Sequence, residues 1–253
     1  MIDTHCHLTD PRLEAHLPDI LNRAAAAGVS RIITIGTELN DDRRCVELCR
    51  GRENIRCVVG VHPNYVAPID ERDLAQLREI QADPSVVALG EMGLDYHYGK
   101  DTRIKQAAFF RFQLQLATEV NKPVVIHCRE AVADCLAIMR DFPRVRAVFH
   151  SFTGTLAESE KIVDTGYFLG FTGIVTFKNA GELREVVRLT PVDRLFVETD
   201  GPYLSPEPMR RQKVNEPALV MHTARLVAEI KGLSVEELDA AMTRNVGQFF
   251  GWD

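Results

Sequence analysis

The sequence predicts an α/β protein, a (β/α)8 TIM barrel carrying an extra C-terminal helix, and three observations lead there. Eight short apolar runs recur along 253 residues: MIDTH at the start, then 31–36, 57–62, 86–91, 123–127, 147–150, 167–172 and 194–200. They are rich in β-branched residues and almost continuously apolar, as parallel strands buried on both faces are. The stretches between them place apolar residues at three- and four-residue spacing and are long enough for βα units to alternate. Finally, the runs end on His, Glu or Asp at six places, and barrels of this kind carry their chemistry where strands end. The length suits one such barrel, so residues 1–253 are read as a single domain, with no internal repeat or low-complexity segment.

Taken in order, the first strand places His5 and His7 on one side and Cys6 on the other, because strand side chains alternate. Pro18 opens a helix that Gly28 ends, and Asn40 is placed to cap the next one before Gly51. Further helices are expected from near Asp101, from near Arg129, over 157–165 and over 180–189. The stretch GPYLSPEPMRRQKVNEP contains four prolines and must be loop, overhanging the strand ends. Two helices follow, over 218–231 and from Ser234 onward, the second opened by a capping box of Ser234 and Glu237.

Composition narrows the function classes. With 45% hydrophobic and 26% charged residues the chain reads as an ordinary soluble globular protein, with no apolar stretch of membrane-spanning length and no signal-type leader. A cytoplasmic monomer is the expectation. The cysteines, at 6, 45, 49, 57, 128 and 135, show no CxxC pair, and reduced thiols are expected. A net charge of −6 argues against a broad basic nucleic-acid surface, although not against an enzyme that grips one strand end.

The strand ends supply His5, His7, Glu91, His127, His150 and Asp200. Four imidazoles with two carboxylates suit a pair of divalent ions, with Zn or Mn favoured by histidine-rich ligation, and Glu91 is the natural bridge because its two oxygens can bind separate ions. Paired ions generate hydroxide at neutral pH and stabilise both oxygens of a displacement, which makes hydrolysis the reaction class.

The chain also resembles the TatD family of metal-dependent deoxyribonucleases, within the amidohydrolase-like superfamily, along essentially its whole length. The motifs are IDTHCHL at the start, GVHP at 60–63, GEMGLDYHY at 90–98, KPVVIHCREA at 122–131, FHSFTG at 149–154, GFTGIVTFKNA at 170–180 and ETDGPYLSP with RRQKVNEP at 198–217. The resemblance implies that His5, His7, Glu91 and Asp200 hold one metal while Glu91, His127 and His150 hold the other. It further implies phosphodiester hydrolysis on DNA, often with Mg and typically by 3′ to 5′ exonuclease action on single strands; Glu91 and Asp200 are the candidate catalytic carboxylates, Asp200 to take or orient the proton of the attacking water. Two departures bear on substrate preference: His97 stands where an aromatic pair is common after GLD, and Met209 to Lys213 replace a PHRGK-like segment.

His62, Arg129, Tyr203 and Arg210 are the candidate substrate-binding residues, each with a plainer reading beside it. His62 could serve a proline turn, Arg129 an ordinary ion pair, Tyr203 loop packing and Arg210 a solvated basic cluster. His97 sits near the rim, and Glu198 either supports a ligand or faces the core. His16 and His222 read as surface residues, and Cys6 and Cys128 as core residues turned away from the ligands. Two other functions compete: a two-metal amide or ester hydrolase, including an aminoacyl-tRNA deacylase, and a noncatalytic metal-dependent scaffold. Many cyclic amidases bridge their metals with a carbamylated lysine, whereas this chain offers Glu91.

Overall fold

The computed structural model describes residues 1–252. The chain runs β1 (Ile2–Cys6), α1 (Pro11–Glu14), α2 (Leu17–Ala26), β2 (Arg31–Ile35), α3 (Leu39–Cys49), β3 (Ile55–Val59), α4 (Glu71–Ile80) and β4 (Val86–Asp95). It continues with α5 (Arg103–Val120), β5 (Val124–Arg129), α6 (Val132–Met139), β6 (Ala147–Phe149), α7 (Leu156–Asp164), β7 (Phe168–Phe171), α8 (Gly181–Leu189), β8 (Leu195–Val197), α9 (Val220–Lys231) and α10 (Val235–Phe250). The strands follow one another in sheet order β1 to β8, with helices between, which is (β/α)8 topology. Fully buried strands such as Val124, Val125 and Ile126 in β5 account for the absence of polar alternation in the sequence.

The chain divides into two compact units, Met1–Thr34 together with the residues from Ser151 onward, and Ile35–His150. In the first, Phe168 stacks on Phe196 with centroids 5.0 Å apart, and Phe249 and Phe250 of α10 close over Phe196 at 5.5 and 5.6 Å. Such aromatic contacts add to the area they bury and fix α10 against β7 and β8. The capping box forms as expected: the Glu237 N–H donates to Ser234 Oγ at 3.1 Å, and the Ser234 N–H to Glu237 Oε2 at 2.8 Å. Between β8 and the turn at Pro217–Leu219 the chain has no helix, as its prolines require.

In the second unit, α5 lies along β4 and turns Gln106 and Gln113 inward, both fully buried. A smaller apolar cluster of Val61, Val66, Leu74 and Phe109 packs outside it. Here the element boundaries differ from expectation. The third strand ends at Val59 rather than at His62, because the His62 ring leaves the ladder to accept the Asn64 N–H through Nδ1 at 3.1 Å and cap the turn at Pro63–Tyr65. Asn40 does not cap α3; Glu38 occupies that position and Asn40 lies inside the helix. The helix expected from near Arg129 begins at Val132, since β5 runs on through Arg129. The fourth strand continues to Asp95, beyond the expected end at Glu91.

Asp42, on α3, is completely buried and accepts the Gly60 N–H through Oδ1 at 3.1 Å. Burial pushes its carboxyl well above the usual range. The folded state therefore keeps a proton that the unfolded chain loses above about pH 4. The contribution of Asp42 to stability must fall as pH rises from there toward neutrality, because at this group the unfolded state then binds fewer protons than the folded one. Asp42→Asn keeps the acceptor for Gly60 and has no proton to lose. Denaturant unfolding at pH 5 and pH 8 should show a smaller loss of stability with rising pH in this variant than in the native protein, and an unchanged difference would refute the assignment.

Candidate metal centre

In the Ile35–His150 unit the C-terminal ends of the strands deliver one carboxylate into a nest of imidazoles. Glu91 Oε1 lies 2.7 Å from His150 Nε2, 2.8 Å from His127 Nδ1 and 3.4 Å from His62 Nε2. His127 reaches the other way to Asp95, with Nε2 3.1 Å from Oδ2, and Asn64 Nδ2 donates to the same oxygen at 3.2 Å. Burial alone would raise the Glu91 carboxyl, yet His150, His62 and His127 around it hold it well below the usual range. Burial also opposes charge on His127, but hydrogen bonds to Asp95 and Glu91 outweigh it and push the ring up to about 9. At His62 burial prevails, and the imidazole is held below its ordinary value despite Glu91 nearby.

The backbone beneath this cluster is tightly specified. Gly90, just before Glu91, has φ +142, and a Cβ there would stand 2.6 Å from the Val125 carbonyl oxygen, so only glycine fits. The side-chain amide of Gln113 satisfies both backbone groups of Val61, accepting its N–H at 2.8 Å and donating to its carbonyl at 3.1 Å. Two turns earlier on α5, Gln106 does the same for Asp95, accepting its N–H at 2.9 Å and donating to its carbonyl at 3.2 Å. These clamps satisfy backbone groups that the end of the ladder leaves without partners, and they fix the residues from which His62 and the Asp95 carboxylate project.

In the other unit, β1 and β8 bring a second set together. Asp200 Oδ1 lies 3.4 Å from His7 Nε2 and 3.6 Å from His5 Nε2. Asp200 takes φ +56, a left-handed conformation costly for a non-glycine residue, held by its N–H on the His5 carbonyl at 2.9 Å. The His7 N–H donates to the Gly201 carbonyl at 2.7 Å, so the two strand ends are stitched on both sides of the carboxylate. Asn215 ties down the proline-rich loop by donating to the carbonyls of Thr199 and Tyr203 at 2.9 and 2.6 Å.

The remaining candidates fall at definite places. Tyr203 is 47% exposed, with its ring centroid 6.2 Å from that of His7 and the Arg12 guanidinium 4.5 Å above it. Arg210 lies over the Phe177 ring at 3.5 Å, so part of the basic cluster is stacked rather than merely solvated. Arg129 is exposed and lies 4.8 Å over Tyr98. Glu198 is buried, accepting the Ser151 N–H at 2.6 Å and the Thr4 hydroxyl at 3.3 Å. His16 is exposed, His222 is half-buried, and Cys6 is buried against the Gly201 carbonyl.

Two residues beyond the six expected ligands belong to the Glu91 cluster. His62 offers its ring nitrogen in one group with Glu91 and His127, each ligand atom lying within 4.8 Å of the others. Asp95 orients His127. A signal for both exists in the sequence: His62 closes the third apolar run, and Asp95 lies four residues beyond Glu91, in phase with it on a strand of period two.

The chain is similar to known proteins along essentially its whole length. The sequence model of the TatD-related DNases matches residues 2–251. The chain belongs to that family. It is similar to an Escherichia coli K12 protein named as an uncharacterized metal-dependent hydrolase, YcfH, at 41% identity, with 100% of this chain and 96% of the relative covered. It is also similar to the 3′-5′ ssDNA/RNA exonuclease TatD of Erwinia amylovora, at 36% identity over 99% of this chain and all of that one. Among solved structures, the TatD homologue YJJV of E. coli K12 superposes with a TM-score of 0.93 at 29% identity, covering 99% of this chain and 98% of that one. The fold is therefore a TIM barrel of the TatD kind, and the chain is a metal-dependent hydrolase of this family. Among the described residues no helix is long and apolar enough to cross a membrane.

Proposed function

We propose that the chain is a divalent-metal-dependent phosphodiesterase acting on DNA, releasing nucleotides from the 3′ end of single strands. One observation carries this reading: a carboxylate that is only 2% exposed, Glu91, sits within 3.4 Å of three imidazole nitrogens. The donor set fits a metal. Neutral imidazole and carboxylate are the ligands of Zn and Mn, and a carboxylate can serve two ions through separate oxygens. His5, His7, Glu91 and Asp200 would hold one ion, and Glu91, His127 and His150 the other, with His62 beside Glu91. When bound, such ions supply positive charge for the phosphate and lower the pKa of water.

The protein's own groups do the rest. Asp95 fixes the His127 ring through Nε2, the kind of carboxylate support that orients ligand imidazoles. Asp200 orients the attacking water and takes its proton at Oδ1. Arg129 neutralises a phosphate oxygen, Arg210 meets the strand's backbone farther out, and Tyr203 offers an exposed ring to a base. The substrate assignment draws on the exonuclease name borne by the Erwinia relative. Six cysteines without a disulfide fit a reducing compartment such as the cytoplasm. The reading requires no partner subunit.

The test is a substrate panel of single-stranded DNA, duplex DNA, RNA and aminoacyl-tRNA, each with Mg, Mn or Zn. Chelator-sensitive release of mononucleotides from single-stranded DNA labelled for 3′-end loss is the expected result. Deacylation of charged tRNA with intact DNA would replace this reading by the ester-hydrolase one.

A further inference from the structure

We infer that Tyr98, with Arg129 behind it, is the platform on which a nucleobase of the substrate strand stacks; the inference rests on the nucleic-acid reading above. Among the described residues the exposed aromatic side chains other than histidine are three tyrosines, 65, 98 and 203, and Tyr98 is the most open, at 69%. It follows the strand that delivers Glu91. Its backbone N–H donates to Asp95 Oδ1 at 2.8 Å, as does that of His97 at 2.9 Å, while the other oxygen of the same carboxylate holds His127 at 3.1 Å. One side chain thus sets both a ligand of the Glu91 cluster and the tyrosine beside it.

The ring has two side-chain neighbours. The Arg129 guanidinium lies 4.8 Å over it, and the His97 ring meets it edge-on, with centroids 4.6 Å apart and planes at 88°. His97 is held in turn by Glu130, with Nδ1 2.8 Å from Oε1. Arg129 is pinned by the β4–β5 ladder opposite Asp95, and its carbonyl accepts the Tyr96 N–H at 3.0 Å. No carboxylate pairs with Arg129 among the described residues, in contrast to Arg12, which spends its guanidinium on Asp10 at 2.8 and 2.9 Å. An aromatic face open to water, backed by an uncompensated cation and tied to the metal-ligand cluster, matches what an unpaired nucleotide presents: a flat base and a phosphate. A base stacked inside a duplex has both faces covered, so the platform favours unpaired strands.

Base–aromatic stacking contributes about 1–3 kcal/mol per base, so losing the ring should raise KM about tenfold. The experiment crosses the protein change with a change in substrate. Native protein, Tyr98→Ala and Tyr98→Phe are assayed with one activating metal on a single-stranded oligonucleotide, and on the same strand carrying abasic units at its three terminal 3′ nucleotides. Tyr98→Ala should raise KM about tenfold on the strand with bases, with kcat nearly unchanged, and leave KM on the abasic strand within about twofold. Tyr98→Phe should behave as the native protein. An equal effect on both strands, or none on either, would overturn the stacking assignment while leaving the hydrolase intact. Native protein that cleaves neither strand would remove the nucleic-acid reading itself, and the platform with it.

Discussion

Glu91→Gln should cut metal-dependent phosphodiester hydrolysis at least about a thousandfold, equivalent to roughly 4 kcal/mol of lost transition-state stabilisation. The size follows from position. Glu91 Oε1 lies within 3.4 Å of ring nitrogens of His62, His127 and His150, and the side chain is only 2% exposed. The amide keeps the shape but carries no charge, and whichever way it turns, one end presents N–H donors where a ligand must present a lone pair. Metal content should fall together with activity. The melting temperature of the metal-free protein should change less than that of the loaded protein, which separates loss of ligation from simple misfolding. A variant that retains its metal and most of its activity would show that Glu91 is an ordinary buried acid.

Removal of divalent ions should have the second-largest effect. Dialysis against chelator should reduce hydrolysis to background, and adding back Mn, Mg or Zn should restore it. A ligand present at a hundred times its Kd stabilises the folded state by about 2.7 kcal/mol, which for a chain of this size corresponds to roughly 5–10 °C in melting temperature. Part of the metal-free cost is electrostatic. Without an ion, charge on Glu91 is balanced by protonated histidine, and a ligating imidazole must give up that proton before it can bind. Calorimetric titration in buffers of differing ionisation enthalpy should therefore register protons released on loading near neutral pH. Unchanged activity and melting after exhaustive chelation would contradict the metal reading.

Much of this could be read from the amino-acid order because two periodicities, of 2 and of about 3.6, are written directly in it. Buried parallel strands must be apolar on both faces, so they stand out as runs, and in this topology the polar residue that ends each run is placed at the site end. His127 and Glu91 follow from that logic without any knowledge of packing. What escaped it was decided by tertiary geometry. The fourth strand runs on to Asp95 because the ladder with β5 continues through Leu94 and Cys128 to Asp95 and Arg129, whereas the apolar run ends earlier. His62 looked like a turn residue and is one, capping the Asn64 N–H with Nδ1, while Nε2 of the same ring faces Glu91. A ring with two distinct nitrogens can do both; closing the third apolar run marks His62 as a strand-end residue, but not that it serves the turn and Glu91 at once. The amide clamps of Gln106 and Gln113 were equally hidden, since a polar residue seven positions from another on an apolar helix face looks like a flaw until the strand-end backbone it satisfies is seen. Tyr98 carries no such signal, because exposure is a property of the folded chain.

The most direct measurement is anomalous diffraction at the manganese edge from crystals soaked in Mn. The account predicts density at bonding distance from Glu91 together with His127 and His150, and further density at His5, His7 and Asp200. Peaks confined to surface carboxylates, with Glu91 and its three histidines still bonded only to one another, would contradict it.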